Sequence, residues 1–356
     1  MSKKHYILTM DVYKTNKNKL ITLFFSFLLL LISCNQSNTK DRFQWEAAMS
    51  APKYYPVGGA KVNFGNAGNS SLTNFDNGWG HPYGTVSSAE RYKKLPKEVF
   101  VSYASAIENL VYEGTVPLPY DKIKQLFEKH IKNKKKESGI IMVGMAPGGW
   151  VHVWVYFHVE DLEIGINNKI EITKFQLKGK EDLTMNEGFR NKESDYWAKY
   201  KQYWDHFGIP LEAWVKNKKE YDIYFNFGKP NTEYNITDVL FSSLDGTIYY
   251  NITNDMMMKK RKLPSDLVVA WGNKNDSLYY QSHLLMPKNF SKIIKNKKSN
   301  TIEIQLEIEE DDQYGILYLI IDHQKEKIVR FKNLYTPNNK GLGESDFSEE
   351  VEYFLE

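Results

Sequence analysis

The sequence predicts an α+β protein: two tandem, diverged copies of an antiparallel β-sheet unit with one packed helix each, plus an aromatic-rich connecting helix. Three observations carry this. "KKLPKEVFVSY" from Lys93 returns as "RKLPSDLVVAW" from Arg261, 168 residues later. Apolar residues alternate or run over strand lengths around a single helical pattern in each half. Six aromatic residues crowd the stretch between the halves, "SDYWAKYKQYWDHFGIP".

The echo is longer than one phrase. At an offset of 168, Leu95-Pro96 falls on Leu263-Pro264, and Val99, Phe100 and Val101 fall on Leu267, Val268 and Val269. Tyr103 falls on Trp271, Leu118-Pro119 on Met286-Pro287, and upstream Asn77-Gly78 on Asp245-Gly246. The register then slips. "IKNKKK" from Ile131 meets "IKNKKS" at an offset of 163, and Val151, Val153 and Val155 meet Leu317, Leu319 and Ile321 at 166. The slips fall in Lys/Asn-rich stretches, where loops tolerate insertions.

Each element has a local reason. Val99 to Tyr103 and Leu110 to Val116 read as strands, and Asn-Gly and Asp-Gly steps read as turns. Pro119 opens a helix to about Lys132, because proline suits the first turn. Ile123, Leu126, Phe127, His130 and Ile131 place its apolar residues on one face. Phe290, Ile293 and Ile294 repeat the pattern in the second copy. Strands follow at Gly139 to Met145, Val151 to His158 and Lys169 to Leu177. In the connecting helix Ser194 is the expected cap, and Gly208 with Pro210 the stop. Its stripe of Tyr196, Tyr200, Tyr203 and Phe207, with Trp197 and Trp204, reads as glue between the units, or alternatively as a stacking surface for sugar or lipid.

The first residues belong to a different problem. Lys14, Lys17 and Lys19 precede an uncharged run, Leu20 to Ser33, that spans about 21 Å as a helix, short of a bilayer core. It reads as a signal peptide over 1–33, with Met1 or Met10 as the start. The run closes on "LISC", which resembles a lipobox. That resemblance implies lipid on Cys34, the only cysteine in the chain. Residues 34–44 then form a lipidated tether, 45–190 the first unit and 191–215 the connecting helical segment. The second unit covers 216–340, and 341–356 is an acidic C-terminal segment. Several acyl chains would hold the protein on a membrane. The stretch after Cys34, "NQSNTKDRF", points to the outer membrane, facing the periplasm.

Composition narrows the function classes. Of the residues, 42% are hydrophobic and 14% aromatic, which is core-forming. The net charge of +3 gives no electrostatic case for nucleic acid. The lysine runs at Lys132 to Lys136 and Lys295 to Lys298 read as solvated loops. No G-x-S-x-G, H-E-x-x-H, phosphate-binding loop or dinucleotide fingerprint is present. "APGGW" at Ala146 to Trp150 reads as a turn, "DNGWGHP" at Asp76 to Pro82 as a loop, and "EIEEDD" at Glu307 to Asp312 as a hairpin tip without calcium-loop spacing. No cofactor, metal site or catalytic residue is expected.

"SAPKYYPV" from Ser50, "LPYDKIKQLF" from Leu118 and "MAPGGWVHVWV" from Met145 resemble a family of lipoproteins from Bacteroidota and related bacteria, domain of unknown function 2931. The resemblance spans roughly Trp45 to Trp214. It implies an envelope compartment and supplies no mechanism; an immunity role beside secreted toxins would follow where members neighbour such toxins.

One face was singled out for binding. Along the strand from Val151, the side chains of Val151, Val153, Val155 and Phe157 point one way, matching Leu317, Leu319 and Ile321 as a shared core. The reverse face diverges: His152, Trp154, Tyr156 and His158 against Tyr318, Ile320 and Asp322. Two imidazoles flanking two aromatic rings suit a sugar or a protein partner. His152 and His158 lie about 20 Å apart along a strand, too far to share a metal. The competing expectation is that the helix from Tyr120 covers this face as a second core layer. The sequence thus favours a non-enzymatic envelope binding protein for a protein or glycan partner, with a lipid-anchored hydrolase of envelope polymers as the alternative.

Overall fold

The computed structural model describes residues 41–67, 69–84, 90–131, 138–157, 169–182, 185–227, 234–250, 259–273, 279–334 and 346–356. The signal segment, Cys34, most of the tether, the lysine run at 132–136 and His158 lie outside the described residues. The fold is mostly β, with few helices and several sheets.

In the first half, one sheet contains β1 (Arg42–Ser50), β4 (Tyr92–Lys94), β7 (Gly139–Ala146), β8 (Trp150–Phe157) and β9 (Ile170–Gln176). Their order is β4-β1-β7-β8-β9. The other sheet contains β2 (Val57–Asn63), β3 (Asn69–Phe75), β5 (Glu98–Ser105), β6 (Leu110–Pro117) and β10 (Gly179–Glu181), in the order β10-β6-β5-β2-β3. In the second half, β11 (Tyr221–Phe227), β14 (Lys259–Arg261), β17 (Thr301–Ile308), β18 (Tyr314–Ile321), β19 (Gln324–Lys332) and β20 (Val351–Tyr353) run β14-β11-β17-β18-β19-β20. Beside them, β12 (Tyr234–Ser243), β13 (Ile248–Tyr249), β15 (Pro264–Asn273) and β16 (Tyr279–Leu285) run β13-β12-β15-β16. Three helices matter for the argument: α1 (Tyr120–Ile131), α2 (Ala198–Phe207) and α3 (Phe290–Lys295).

Corresponding strands follow one another in the same chain order and keep the same neighbours in both halves. One pairing in each half is parallel, β1 with β7 and β11 with β17; the rest are antiparallel. The helix lies between the same strands, α1 after β6 and α3 after β16. Register agrees as well. Val99 stands opposite Val116 and Tyr103 opposite Tyr112; 168 residues on, Leu267 stands opposite Leu284 and Trp271 opposite Tyr280. The rings stack in both hairpins, with centroids 5.2 Å apart for Tyr103–Tyr112 and 4.1 Å for Trp271–Tyr280. The additions are at edges, β10 beside β6 and β20 beside β19.

One match of the echo has no structural counterpart. Asn77-Gly78 follows β3, whereas Asp245-Gly246 turns β12 into β13. The two turns instead meet each other, with Trp79 N donating to Gly246 O at 2.7 Å.

Each half has its own core. Val151, Val153, Val155 and Phe157 face inward with Ile123 and Phe127 of α1, and Leu317, Leu319 and Ile321 do so with Phe290 and Ile294 of α3. The expected shared face is therefore the core face in both halves. α1 packs on that same face, its Phe127 edge-on to Phe43 and Phe157 at 5.5 and 5.2 Å. It does not cover the reverse face of β8, contrary to the competing expectation.

Candidate functional site

The reverse face of β8 is not a surface. His152, Trp154 and Tyr156 are 2%, 4% and 2% exposed; Trp154 and Tyr156 belong to a third cluster that joins the halves, and His152 lies against its Trp79 and Trp154 rings. The Trp154 ring lies so close over Gly144 that a β-carbon there would collide with it. Trp79 stands edge-on to Trp154 at 5.0 Å and to His152 at 5.1 Å. Tyr54, Tyr55, Tyr203 and Trp214 complete the same cluster. The binding-face expectation for these three residues is corrected on that ground: a partner has no access to them. His158 lies outside the described residues.

His152 has an internal role. Its Nδ1 lies 3.2 Å from Glu171 Oε2, and Lys218 Nζ lies 3.7 Å from the other carboxylate oxygen. Burial depresses the imidazole, so it is neutral and donates through Nδ1. The hydrogen bond from His152, with the nearby lysines, holds Glu171 down at about 2 against its own burial.

The connecting helix does what glue requires. Tyr203 is fully buried, stacks on Tyr54 at 4.1 Å, and donates its hydroxyl to Ser265 Oγ at 2.8 Å. Trp204 Nε1 donates to Tyr54 O at 2.6 Å, and Tyr55 donates to Gly208 O at 2.6 Å. Gly208 ends the helix at φ +65°, a conformation that favours glycine. Ser194 makes no side-chain cap; a 3₁₀ turn, Asp195–Trp197, leads into α2.

"SAPKYYPV" carries the most polar contact between halves. Tyr54, held at φ +66°, donates its hydroxyl to Asp266 Oδ2 at 2.8 Å, and His283 Nε2 meets the same oxygen at 2.9 Å. Ser242 Oγ donates to Asp266 Oδ1. Burial works against ionising Asp266, but the His283 contact and the Ser242 and Tyr54 hydroxyls outweigh it, so the carboxyl sits below its usual range. Ser, His and Asp are all present, yet the order is wrong for hydrolysis. A nucleophile–base–orienter chain needs His between Ser and Asp. Here Asp266 is in the middle and binds both.

The remaining motifs are also structural. Ser50 Oγ donates to Gly78 O at 2.8 Å and accepts from Gly80 N at 2.7 Å, which pins the "DNGWGHP" loop to the end of β1. His81 in that loop is driven down to about 3, by burial first and by Lys169 next. Gly148 and Gly149 of "APGGW" both have positive φ, and Gly148 N donates to the Glu108 carboxylate at 2.9 and 3.0 Å. "EIEEDD" forms the β17–β18 tip, where Glu309 pairs with Arg330 at 2.7 Å.

A groove that sequence reasoning missed lies between the connecting segment and the second half. Its volume is about 550 Å³. Leu263-Pro264 enters β15 and Met286-Pro287 leaves β16, and these two steps form one wall. Tyr221 and Phe290, and from the connector Phe207, Ile209, Pro210 and Leu211, also line it. Lys216, Lys219, Lys288 and Lys295 reach its lining, against one carboxylate, Glu212. The Leu-Pro and Met-Pro steps were visible as an echo. Nothing in one sequence says that a connector earlier in the chain will leave them uncovered rather than seal them.

A smaller pocket of about 180 Å³ opens beside Asp266 and His283, lined by Tyr54, Lys53, Lys199 and Tyr250 among others. Among the described residues its only carboxylate is Asp266, already bonded as above. Among the described residues, no group of three or more His, Cys, Asp or Glu side chains is placed to hold a metal ion, and no helix is long and apolar enough to cross a membrane.

No curated protein and no solved structure matches this chain. A family model, protein of unknown function (DUF2931), matches residues 33–212, half of the chain. The match takes in the first half and the connecting helix and stops at Glu212, on the lip of the groove. On that match the chain belongs to the DUF2931 family.

Proposed function

We propose that this chain is a lipoprotein of the bacterial cell envelope, carried by lipid on Cys34 at the outer membrane and facing the periplasm. It acts there as a binding protein rather than as an enzyme. The signal-like run and "LISC" support the anchor. The groove is the observation that carries the binding role. It is concave, walled by apolar side chains, fringed by a few polar ones, and of a size that takes one small molecule or chain. The hydrolase alternative would need two facing carboxylates or a nucleophile with its base. Among the described residues the groove offers Glu212 alone, and the smaller pocket offers Asp266 alone. A glycan is disfavoured because the rings nominated for stacking are internal.

In this reading the two halves descend from one duplicated unit, as their shared strand order, parallel pairing and hairpin register support. The second copy supplies most of the groove. Two measurements test the proposal. Fatty-acid labelling in cells should mark the wild type and not Cys34→Ala; equal labelling removes the anchor. The neutral probe N-phenyl-1-naphthylamine should bind the chain saturably, and Ser291→Trp, which fills the groove from α3, should abolish the signal. Absence of saturable binding by the wild type would overturn the binding role.

A further inference from the structure

We propose that the groove selects a single-chain amphiphile with an anionic head, of the fatty-acid class. This rests on the reading that the groove is a binding site, and adds what it binds. The walls argue for a hydrocarbon chain. Pro210, Pro264 and Pro287 all line the groove. Proline offers ring surface and no N–H, so three prolines remove donors that a peptide main chain would use. Ile209 and Leu211 at the lip are 36% and 45% exposed, which places large apolar side chains in water beside an apolar floor. An acyl chain would cover both.

The rim argues for an anion. Glu212 is already engaged by Lys216 at 3.0 Å. Lys219 lies over the ring of Tyr221, another lining residue, at 4.5 Å, which keeps its amine beside the groove. Among the described residues, Lys288 and Lys295 have no carboxylate within ion-pair distance. With Lys216 engaged by Glu212, the other three lysines leave a positive field at the mouth of an apolar slot. Lysine is a flexible point charge, suited to a carboxylate or phosphate head without fixed geometry. A bound chain would lie in the slot with its head in the field of Lys288, before α3, and Lys295, at its end.

The test compares one chain with three heads. Laurate, dodecanol and dodecyltrimethylammonium, each below its micellar concentration, displace the neutral naphthylamine probe from the full chain. Laurate should bind at least about tenfold more tightly than dodecanol, and the cation most weakly. In Lys288→Glu/Lys295→Glu the laurate-to-dodecanol ratio should fall to about one, while Lys298→Glu, outside the groove, keeps it. Raising salt should weaken laurate and not dodecanol. Equal affinities for the three heads would overturn the anion preference and leave the groove as a site for neutral chains. Loss of probe binding to every variant and to the wild type would instead overturn the groove itself. Binding to phosphatidylglycerol vesicles that needs Lys288 and Lys295, without displacement of the probe by laurate, would assign the lysines to a membrane surface and sink the proposal.

Discussion

The strand pairs β7–β8 and β17–β18 occupy the same place in the two halves and present the same inward face, but differ on the outside. Every residue of β7 is buried, and all but the first of β8. In β17 and β18 burial alternates strictly, one residue in and one partly out. The outward positions of β7 are Ile140, Met142, Gly144 and Ala146; those of β17 are Thr301, Glu303, Gln305 and Glu307. The inward face is what the fold needs. The outward face is set by the neighbours, and among the described residues only the first half has them: α2, the Trp79 loop and the Tyr54-Tyr55 corner. An antiparallel sheet tolerates either outcome. The same topology can therefore be a middle layer in one half and an outer wall in the other.

The largest test of this difference is truncation on the outward faces. Trp154→Ala empties a volume packed against Gly144 and Trp79, and should cost about 3–5 kcal/mol. Tyr318→Ala, on the equivalent strand of the second half, removes a half-buried ring and should cost about 1 kcal/mol or less. Denaturant titration of both variants reads the difference directly. Equal losses would mean that the first sheet is not buried on both sides in solution.

Glycines give a second contrast, between the junction and a bulge of β2. Gly246 has φ +73°, and a β-carbon there would lie 2.5 Å from Lys53 N and 2.6 Å from Pro52 Cβ. Gly59 has φ +54° and open space around it. Gly59→Ala should show backbone strain alone, about 1 kcal/mol, whereas Gly246→Ala should lose about 2–3 kcal/mol because the other half's backbone must move. Matching midpoints for the two variants would show that the junction yields easily.

Much of this was legible in the sequence, and the failure is instructive. The strand, strand, helix, strand, strand order from Val99 to Phe157 and the shared core face follow from periodicity and from the echo, because a sheet must bury one face whatever its surroundings; the opening strands β1 to β4, the second sheet of each half and the parallel pairing of β1 with β7 do not. The error concerned His152, Trp154 and Tyr156. Their alternation with valines reads as a diverged face for a partner, or else as a second core layer; the partner strand "GIIMVGMA", with no charged residue on either side, has the pattern of a strand buried on both faces and favours the latter. "TIEIQLEI" in the second half alternates cleanly and is solvated as its pattern says. The groove was invisible for another reason. It is bounded by segments distant in sequence, and its walls are prolines and leucines that read locally as turns and core.

Titration should separate the junction from the outer wall next. His81 is depressed to about 3 and His152 and His206 are depressed too, all by burial first. A histidine whose folded pKa lies below its unfolded value of about 6.5 leaves the unfolded chain with more protons in between. Stability conferred by the neutral form is complete above pH 6.5 and lost as pH falls. His81 alone should steepen the loss by up to about 1.4 kcal/mol per pH unit between pH 6 and 4. Glu171, held at about 2, acts in the same direction below about pH 4.5. His81→Gln should flatten the profile in the histidine window. A profile identical to that of the wild type would mean that His81 is not enclosed.

The smallest effect is expected on the open wall. Arg330 makes two hydrogen bonds to Glu309, at 2.7 and 2.8 Å, and lies over the Tyr314 ring at 3.7 Å. The geometry is good, and Glu309 is pulled down mainly by the hydrogen bond from Arg330. Both side chains nevertheless stay about a third exposed, at 30% and 32%. Water screens the pair, and holding two long side chains in one arrangement costs entropy. Arg330→Ala should therefore lower stability by about 0.5–1 kcal/mol at low salt, part of it from lost contact with Tyr314. Half-molar salt should shrink the charge part, since the screening length drops to a few ångströms. The same salt should leave the Trp154→Ala deficit unchanged, because that deficit is packing. If Arg330→Ala proved as damaging as Trp154→Ala, β18 and β19 would have to be covered by something that the chain in solution possesses, and the contrast between a middle layer and an outer wall would fail.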